Sequence, residues 1–153
     1  MSDRSEFALQ FADALAAAYR AVERAGDRAF RAQGLSHRAH VALAAVDQGG
    51  PDGARPSEVA EILGVSRAAA TTFIQRLEAK GLVETTPDAE DDRGVRVTLT
   101  RRGVELLLRV GQLERRLVTR ALEGIPASSI SRTVSLLQDV RQRLTEHRLE
   151  VVR

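Results

Sequence analysis

The hydrophobic period of this chain changes at Gly81, and that change narrows the folds open to it. Before it, Pro56 to Leu63 and Arg67 to Lys80 read as two short helices around the three-residue turn Gly64-Val65-Ser66. Pro56 suits a first helical position, Glu58 the first turn and Ser66 an N-cap. Leu77 and Leu82 stand where the apolar contact across a glycine-terminated helix belongs. After Gly81, Leu82-Val83-Glu84-Thr85-Thr86 has strand propensity, and Val95, Val97 and Leu99 alternate with Arg96 and Thr98, the period of a half-buried strand. These segments predict a hairpin over about 82–99, with Pro87–Gly94 as an eight-residue polar tip. Helix, tight turn, helix and two-stranded wing is a winged helix-turn-helix.

The flanks are helical. Phe7, Phe11, Leu15, Ala18 and Val22 form one apolar stripe on a helix over about 5–32. Ser36 can cap a second helix carrying Val41, Leu43 and Val46, which stops at Gly49-Gly50-Pro51-Asp52-Gly53. Thr100 can cap a long helix over about 101–122, broken by Pro126, and a last helix with Ile130, Val134, Leu137, Val140 and Leu144 follows over about 128–149. The expected class is mainly α (α+β). The expected organisation is a winged region over 35–103 and helical flanks at 1–34 and 104–153, intertwined as one domain.

Composition excludes several classes. With 43% hydrophobic and 29% charged residues among 153, the chain is an ordinary globular one. Its longest apolar run is far short of a membrane span, and no secretory leader is expected at its start. It contains no cysteine, so thiolate metal sites and thiol chemistry are excluded, and a reducing cytoplasm is the expected setting. Net charge is +2, and every one of the 23 basic residues except Lys80 is arginine. No nucleophile–base pair and no glycine-rich phosphate loop is found, so an enzyme is not expected, nor any cofactor.

The helix after Ser66 carries the functional signal. Val59, Ile62, Leu63, Val65, Ala70, Phe73, Ile74 and Leu77 can close a small core between the two short helices. The opposite face of the second helix then presents Ser66, Arg67, Ala68, Ala69, Thr71, Thr72, Gln75 and Arg76. A helix of this size fits the major groove of duplex DNA. Arginine suits guanine or phosphate, glutamine suits adenine, and the alanine and threonine methyls suit the thymine methyl group.

The chain resembles the MarR family of bacterial transcription regulators from about Leu35 to Leu122. The resemblance rests on three segments in order: Ser57-Glu58-Val59-Ala60-Glu61-Ile62-Leu63-Gly64-Val65-Ser66, then Leu77-Glu78-Ala79-Lys80-Gly81-Leu82-Val83, then Asp91-Asp92-Arg93 leading to Val97-Thr98-Leu99-Thr100-Arg101-Arg102-Gly103. It implies a homodimer joined by its terminal helices, binding pseudo-palindromic operator DNA and usually repressing. It also implies release on binding a small aromatic or anionic effector. The family's wing arginine falls on Arg93, oriented by Asp91, and Arg96 is expected to reach the DNA backbone. Relatives often carry Asp-Arg-Arg where this chain has Asp91-Asp92-Arg93. A wing tip bearing Asp88, Glu90, Asp91 and Asp92 is expected to be repelled by phosphate.

Histidines supply the remaining candidates. His37 and His40 stand three apart on the second helix, and His147 is near the C-terminus. With no cysteine and no carboxylate pair close in sequence, no metal site is expected. The resemblance places an effector cavity near the second helix, so Tyr19, His37, Arg38 and His40 are effector-contact candidates. The alternative to a DNA-binding regulator is a winged-helix dimer with weakened DNA binding that acts through another protein.

Overall fold

The computed structural model describes residues 3–89 and 91–146, and the side chains of Asp3, Asp92 and Arg93 lie outside that description. Two compact units are found, residues 1–117 and 118–153.

In the first unit, α1 (Asp3–Phe30) runs into a tight turn at Arg31–Gln33 that Gly34 closes with φ +67°. Ser36 caps α2 (His37–Gln48) by accepting a hydrogen bond from the Ala39 amide at 3.2 Å. A second tight turn leads to α3 (Pro56–Leu63), whose first turn is held by the Arg55 amide donating to Glu58 Oε2 at 2.7 Å. Then come α4 (Arg67–Ala79), strands β1 (Val83–Asp88) and β2 (Asp91–Leu99), and the long helix α5 (Arg101–Ala121). Phe30, Leu43, Val46, Val59, Val97 and Val110 are the largest fully buried side chains. They come from α1, α2, α3, β2 and α5, so one core joins the end of α1 to the wing and the first half of α5.

The strands are antiparallel, with Val83 opposite Leu99 and Thr86 opposite Arg96, and the register shifts between Pro87 and Asp88. The hairpin therefore runs further than its apolar alternation indicated. Residues expected in a polar tip, Pro87–Asp88 and Asp91–Gly94, belong to the strands. Backbone pairing continues there without an apolar face to announce it. On its other edge β2 forms a bridge in which Ala54 and Val97 exchange two backbone hydrogen bonds of 2.9 Å.

The expected core is largely present, with one exception. Val59, Ala70, Ile74 and Leu77 are buried, and Leu63, Val65 and Phe73 are half-buried, but Ile62 is 43% exposed. An eight-residue helix buries one narrow stripe, and here Val59 and Ala60 occupy it. At the base of the wing, Thr100 Oγ1 accepts from the Gly103 amide at 3.0 Å and donates to the Gly81 carbonyl at 2.8 Å. A Cβ at Gly103 would lie 2.0 Å from the Leu82 carbonyl oxygen, so α5 starts flush against the first wing strand.

In the second unit, the chain turns at Gly124 (φ +80°) and Pro126 before α6 (Ala127–Glu146). No residue of α6 is buried, and Val134, Leu136 and Leu144 are exposed. Among the described residues no helix is long and apolar enough to cross a membrane.

Candidate nucleic-acid interface

Both ends of α4 are set by local chemistry. At its start the Ser66 hydroxyl accepts from the Ala69 amide at 3.2 Å. At its end Gly81 adopts φ +66°, its amide donates to Glu78 O at 2.7 Å, and the Leu82 amide donates to Leu77 O at 3.0 Å. That paired geometry needs a left-handed residue and brings Leu77 onto Leu82, and both are buried. Ala70, Ile74 and Leu77 turn one stripe of α4 into the core.

The opposite face is the expected one. Ser66, Arg67, Ala68, Thr71, Thr72, Gln75 and Arg76 are exposed, and Ala69 is half-buried. The two threonines have a feature that composition does not show. Thr71 Oγ1 donates to Arg67 O at 2.9 Å, and Thr72 Oγ1 donates to Ala68 O at 3.0 Å. Each hydroxyl hydrogen is spent on the preceding turn, so these side chains offer a methyl group and an acceptor oxygen, not a donor. The middle of the face is small and methyl-rich, with the arginines at its ends.

The turn end of the wing, where Asp88 pairs with Asp91, corrects the expectation for Asp88. Its side chain is 2% exposed, and Oδ2 accepts from Arg55 Nε and Arg96 Nε, each at 2.9 Å. Asp88 is therefore a buried carboxylate paired with two arginines, not an exposed charge of the wing tip. Arg96, expected to reach the DNA backbone, is 22% exposed at its side chain and has Nη1 donating to Gly53 O at 3.2 Å. Asp91 is exposed and has interaction partners of its own. Glu90 and the side chains of Asp92 and Arg93 lie outside the described residues.

Comparison with known proteins agrees with this architecture. The MarR family model matches residues 33–94, the segment from the end of the first tight turn to the wing. The repressor IacR of Pseudomonas putida is 30% identical over 70 residues, 46% of this chain and 42% of that protein. The crystal structure of the transcriptional regulator BldR from Sulfolobus solfataricus superposes with a TM-score of 0.83 at 26% identity, covering 94% of this chain and 99% of that one. Over residues 33–94 this chain is similar to the MarR family, and its fold is that of transcriptional regulators such as BldR. MarR family proteins are DNA-binding transcription regulators and not enzymes. A further structure with the same fold is CouR from Rhodococcus jostii RHA1 bound to p-coumaroyl-CoA, with a TM-score of 0.75 and 25% identity over 82% of this chain and 87% of that one. The chain spans less than half the length of IacR.

Away from the outer face of α4, His37 and His40 lie in the core. His37 and His40 are each 5% exposed. Their Nε2 atoms meet the two oxygens of Glu114 on α5, at 3.4 Å to Oε1 and 2.9 Å to Oε2. Phe30 stacks on His37 and meets His40 edge-on, with ring centroids 6.2 and 5.3 Å apart. Both Nδ1 atoms are buried without a partner. A metal ion on Nε2 would turn each Nδ1 into an N–H donor needing an acceptor, and none is present; among the described residues no group of three is placed to hold a metal.

Nothing near His40 in sequence pointed to Glu114, which lies 74 residues on. Of the other effector candidates, Arg38 pairs with Glu23 at 3.2 Å and Tyr19 is 49% exposed on α1. His147 lies outside the described residues.

Proposed function

We propose that this chain is a sequence-specific DNA-binding regulator that works as a homodimer and represses by occupying a pseudo-palindromic operator. The observation that carries the reading is the outer face of α4. It is capped, exposed and flanked by arginines, on a helix sized for the major groove, with a wing beside it. Ser66, Arg67, Ala68, Ala69, Thr71, Thr72, Gln75 and Arg76 are the residues proposed to meet DNA there. Arg93 is proposed to enter the adjacent minor groove, whose potential attracts arginine, with Asp91 orienting it.

Dimerisation is supported by apolar surface that the single chain leaves uncovered. Phe7, Leu15 and Val22 on α1 are exposed, as are Val134, Leu136 and Leu144 on α6. Pairing by these flanking helices, 1–34 and 104–153, would have to set two α4 helices about 34 Å apart, one turn of DNA.

Response to a small aromatic or anionic ligand is supported by the likeness to CouR, which was solved with p-coumaroyl-CoA. In this chain an anionic effector reaching the two imidazoles would have to displace Glu114 from them.

A second reading is a winged-helix dimer acting through another protein. The small residues at the centre of α4 favour it, since they supply few hydrogen bonds to bases. Selection of duplexes from a randomised pool, followed by mobility shifts at two salt concentrations, decides between the readings. The expected result is specific, salt-sensitive binding, with Arg93→Ala lowering the log–log salt slope by roughly 0.9, one phosphate equivalent. A folded dimer that selects no duplex overturns the DNA reading in favour of the second one.

A further inference from the structure

We infer that Asp88 is the positioning residue of the wing: its buried carboxylate, gripped by Arg55 and Arg96, fixes the wing's angle to the helix-turn-helix. This rests on the DNA-binding reading above and adds to it a residue that touches no DNA.

The inference starts from the weakness of a hairpin. Two antiparallel strands alone are marginally stable in water, so this wing needs anchorage to hold a direction. Three links supply it at one place. Asp88 Oδ2 accepts from Arg96 Nε across the hairpin and from Arg55 Nε on the residue preceding α3, both at 2.9 Å. Arg96 Nη1 continues to the Gly53 carbonyl at 3.2 Å. Beside it, Ala54 and Val97 exchange their two backbone bonds.

The loop can come this close only because residue 53 is glycine. It sits at φ +75°, and a Cβ there would lie 2.8 Å from Val97 O. The same carboxylate thus ties the strands to each other and both to the loop that launches α3. A buried ion pair fixes geometry because breaking it strands a charge away from water.

Position matters for the proposed function because α4 and the wing would enter neighbouring grooves of one duplex. A shift of the wing by about an ångström would take its arginine out of register while leaving α4 unaffected.

The argument separates cleanly from simple charge. Asp88→Asn removes a negative charge near DNA, so electrostatics alone makes binding tighter. Loss of positioning makes it weaker.

The test uses the full chain and a duplex that the wild type selects from a randomised pool. In Asp88→Asn, amide exchange at Ala54 and Val97 is expected to speed up without DNA while α4 amides stay protected. Affinity is expected to fall about tenfold, the effect of leaving buried hydrogen-bonding groups unpaired. Minor-groove protection at the edges of the site should vanish, with major-groove protection retained. Glu84→Gln, which removes one exposed charge from the same strand, should bind as well as wild type or better. Arg55→Lys keeps the charge but loses the Nε donor, so it should show the same edge loss more mildly and keeps the test valid if Asp88→Asn fails to fold.

Binding by Asp88→Asn that is as tight as wild type or tighter overturns the inference. So does equal loss of edge and central protection, or unchanged exchange at Ala54 and Val97. A wild-type chain that selects no duplex overturns the DNA reading and the positioning role with it, while the exchange data still report on the clamp itself.

Discussion

The outer face of α4 and the clamped turn end of the wing follow one another in sequence but are built in opposite ways. Every bond that shapes the α4 face spans three or four residues: Ser66 to Ala69, Thr71 to Arg67, Thr72 to Ala68. Two of the bonds at the turn end of the wing span far more, 33 residues from Arg55 to Asp88 and 43 from Arg96 to Gly53. Local bonds form wherever that stretch of chain is helical. Distant ones exist only when the whole winged unit has folded, because their loop-closure cost must be met first. The proposed reading surface is therefore a property of a short peptide sequence. The aim of the wing is a property of the domain.

The largest expected effect tests the long-range half. Gly103→Ala places a methyl where the Leu82 carbonyl oxygen stands, 2.0 Å away. The obstacle is backbone, so no side-chain rotation relieves it. Overpacking of this kind costs about 3 kcal/mol, or about 10 °C in melting temperature for a chain of this size. Calorimetry should show that drop, and amide exchange should rise along β1 and the start of α5. A variant that melts like wild type would show that the junction of wing and long helix has slack, and the contrast with α4 would lose its basis.

A smaller effect tests the local half. Ser66→Ala removes the cap of α4 and should cost about 1 kcal/mol. The loss should appear as faster exchange at Ala69 and its neighbours, with the Ala54–Val97 bridge unchanged. Exchange that rises equally at both places would mean that α4 and the wing open as one unit.

The same division explains what could be read from the chain beforehand. The turn at Gly64-Val65-Ser66, the α4 face, the glycine stop at 81 and the Thr100 cap are short-range patterns, and each stands where the sequence put it. Asp88 was legible only as one more acid in a polar stretch, because Arg55 lies 33 residues away and pairing with Arg96 depends on the hairpin register. Glu114 was invisible as the partner of His37 and His40 for the same reason. Ile62 matched the apolar pattern of α3, yet the narrow buried stripe of a two-turn helix has no room for it. The family resemblance gave an expected DNA contact for Arg96 but not its bond to Asp88, which depends on the carboxylate this chain carries at position 88.

The finest test concerns the centre of the α4 face itself. Thr71 and Thr72 have committed their hydroxyl hydrogens to their own helix, and Ala68 and Ala69 have none to give. What these four small side chains can still recognise is shape and apolar surface, and in the major groove the feature that fits is the C5 methyl of thymine. Replacing single thymines of the selected duplex by deoxyuridine deletes that methyl and nothing else. Base pairing, groove acceptors and phosphate charge are unchanged. Each methyl that packs on α4 should be worth about 0.8 kcal/mol, or about fourfold in affinity, and the loss should be insensitive to salt because no counterion is involved. Thr72→Ser should remove the same increment from the protein side, and combining it with deoxyuridine at the contacted position should cost no more than either change alone. Uniform tolerance of deoxyuridine across the site would mean that specificity lies at the ends of α4, with Arg67, Gln75 and Arg76, and that the methyl-rich centre contributes fit without recognition.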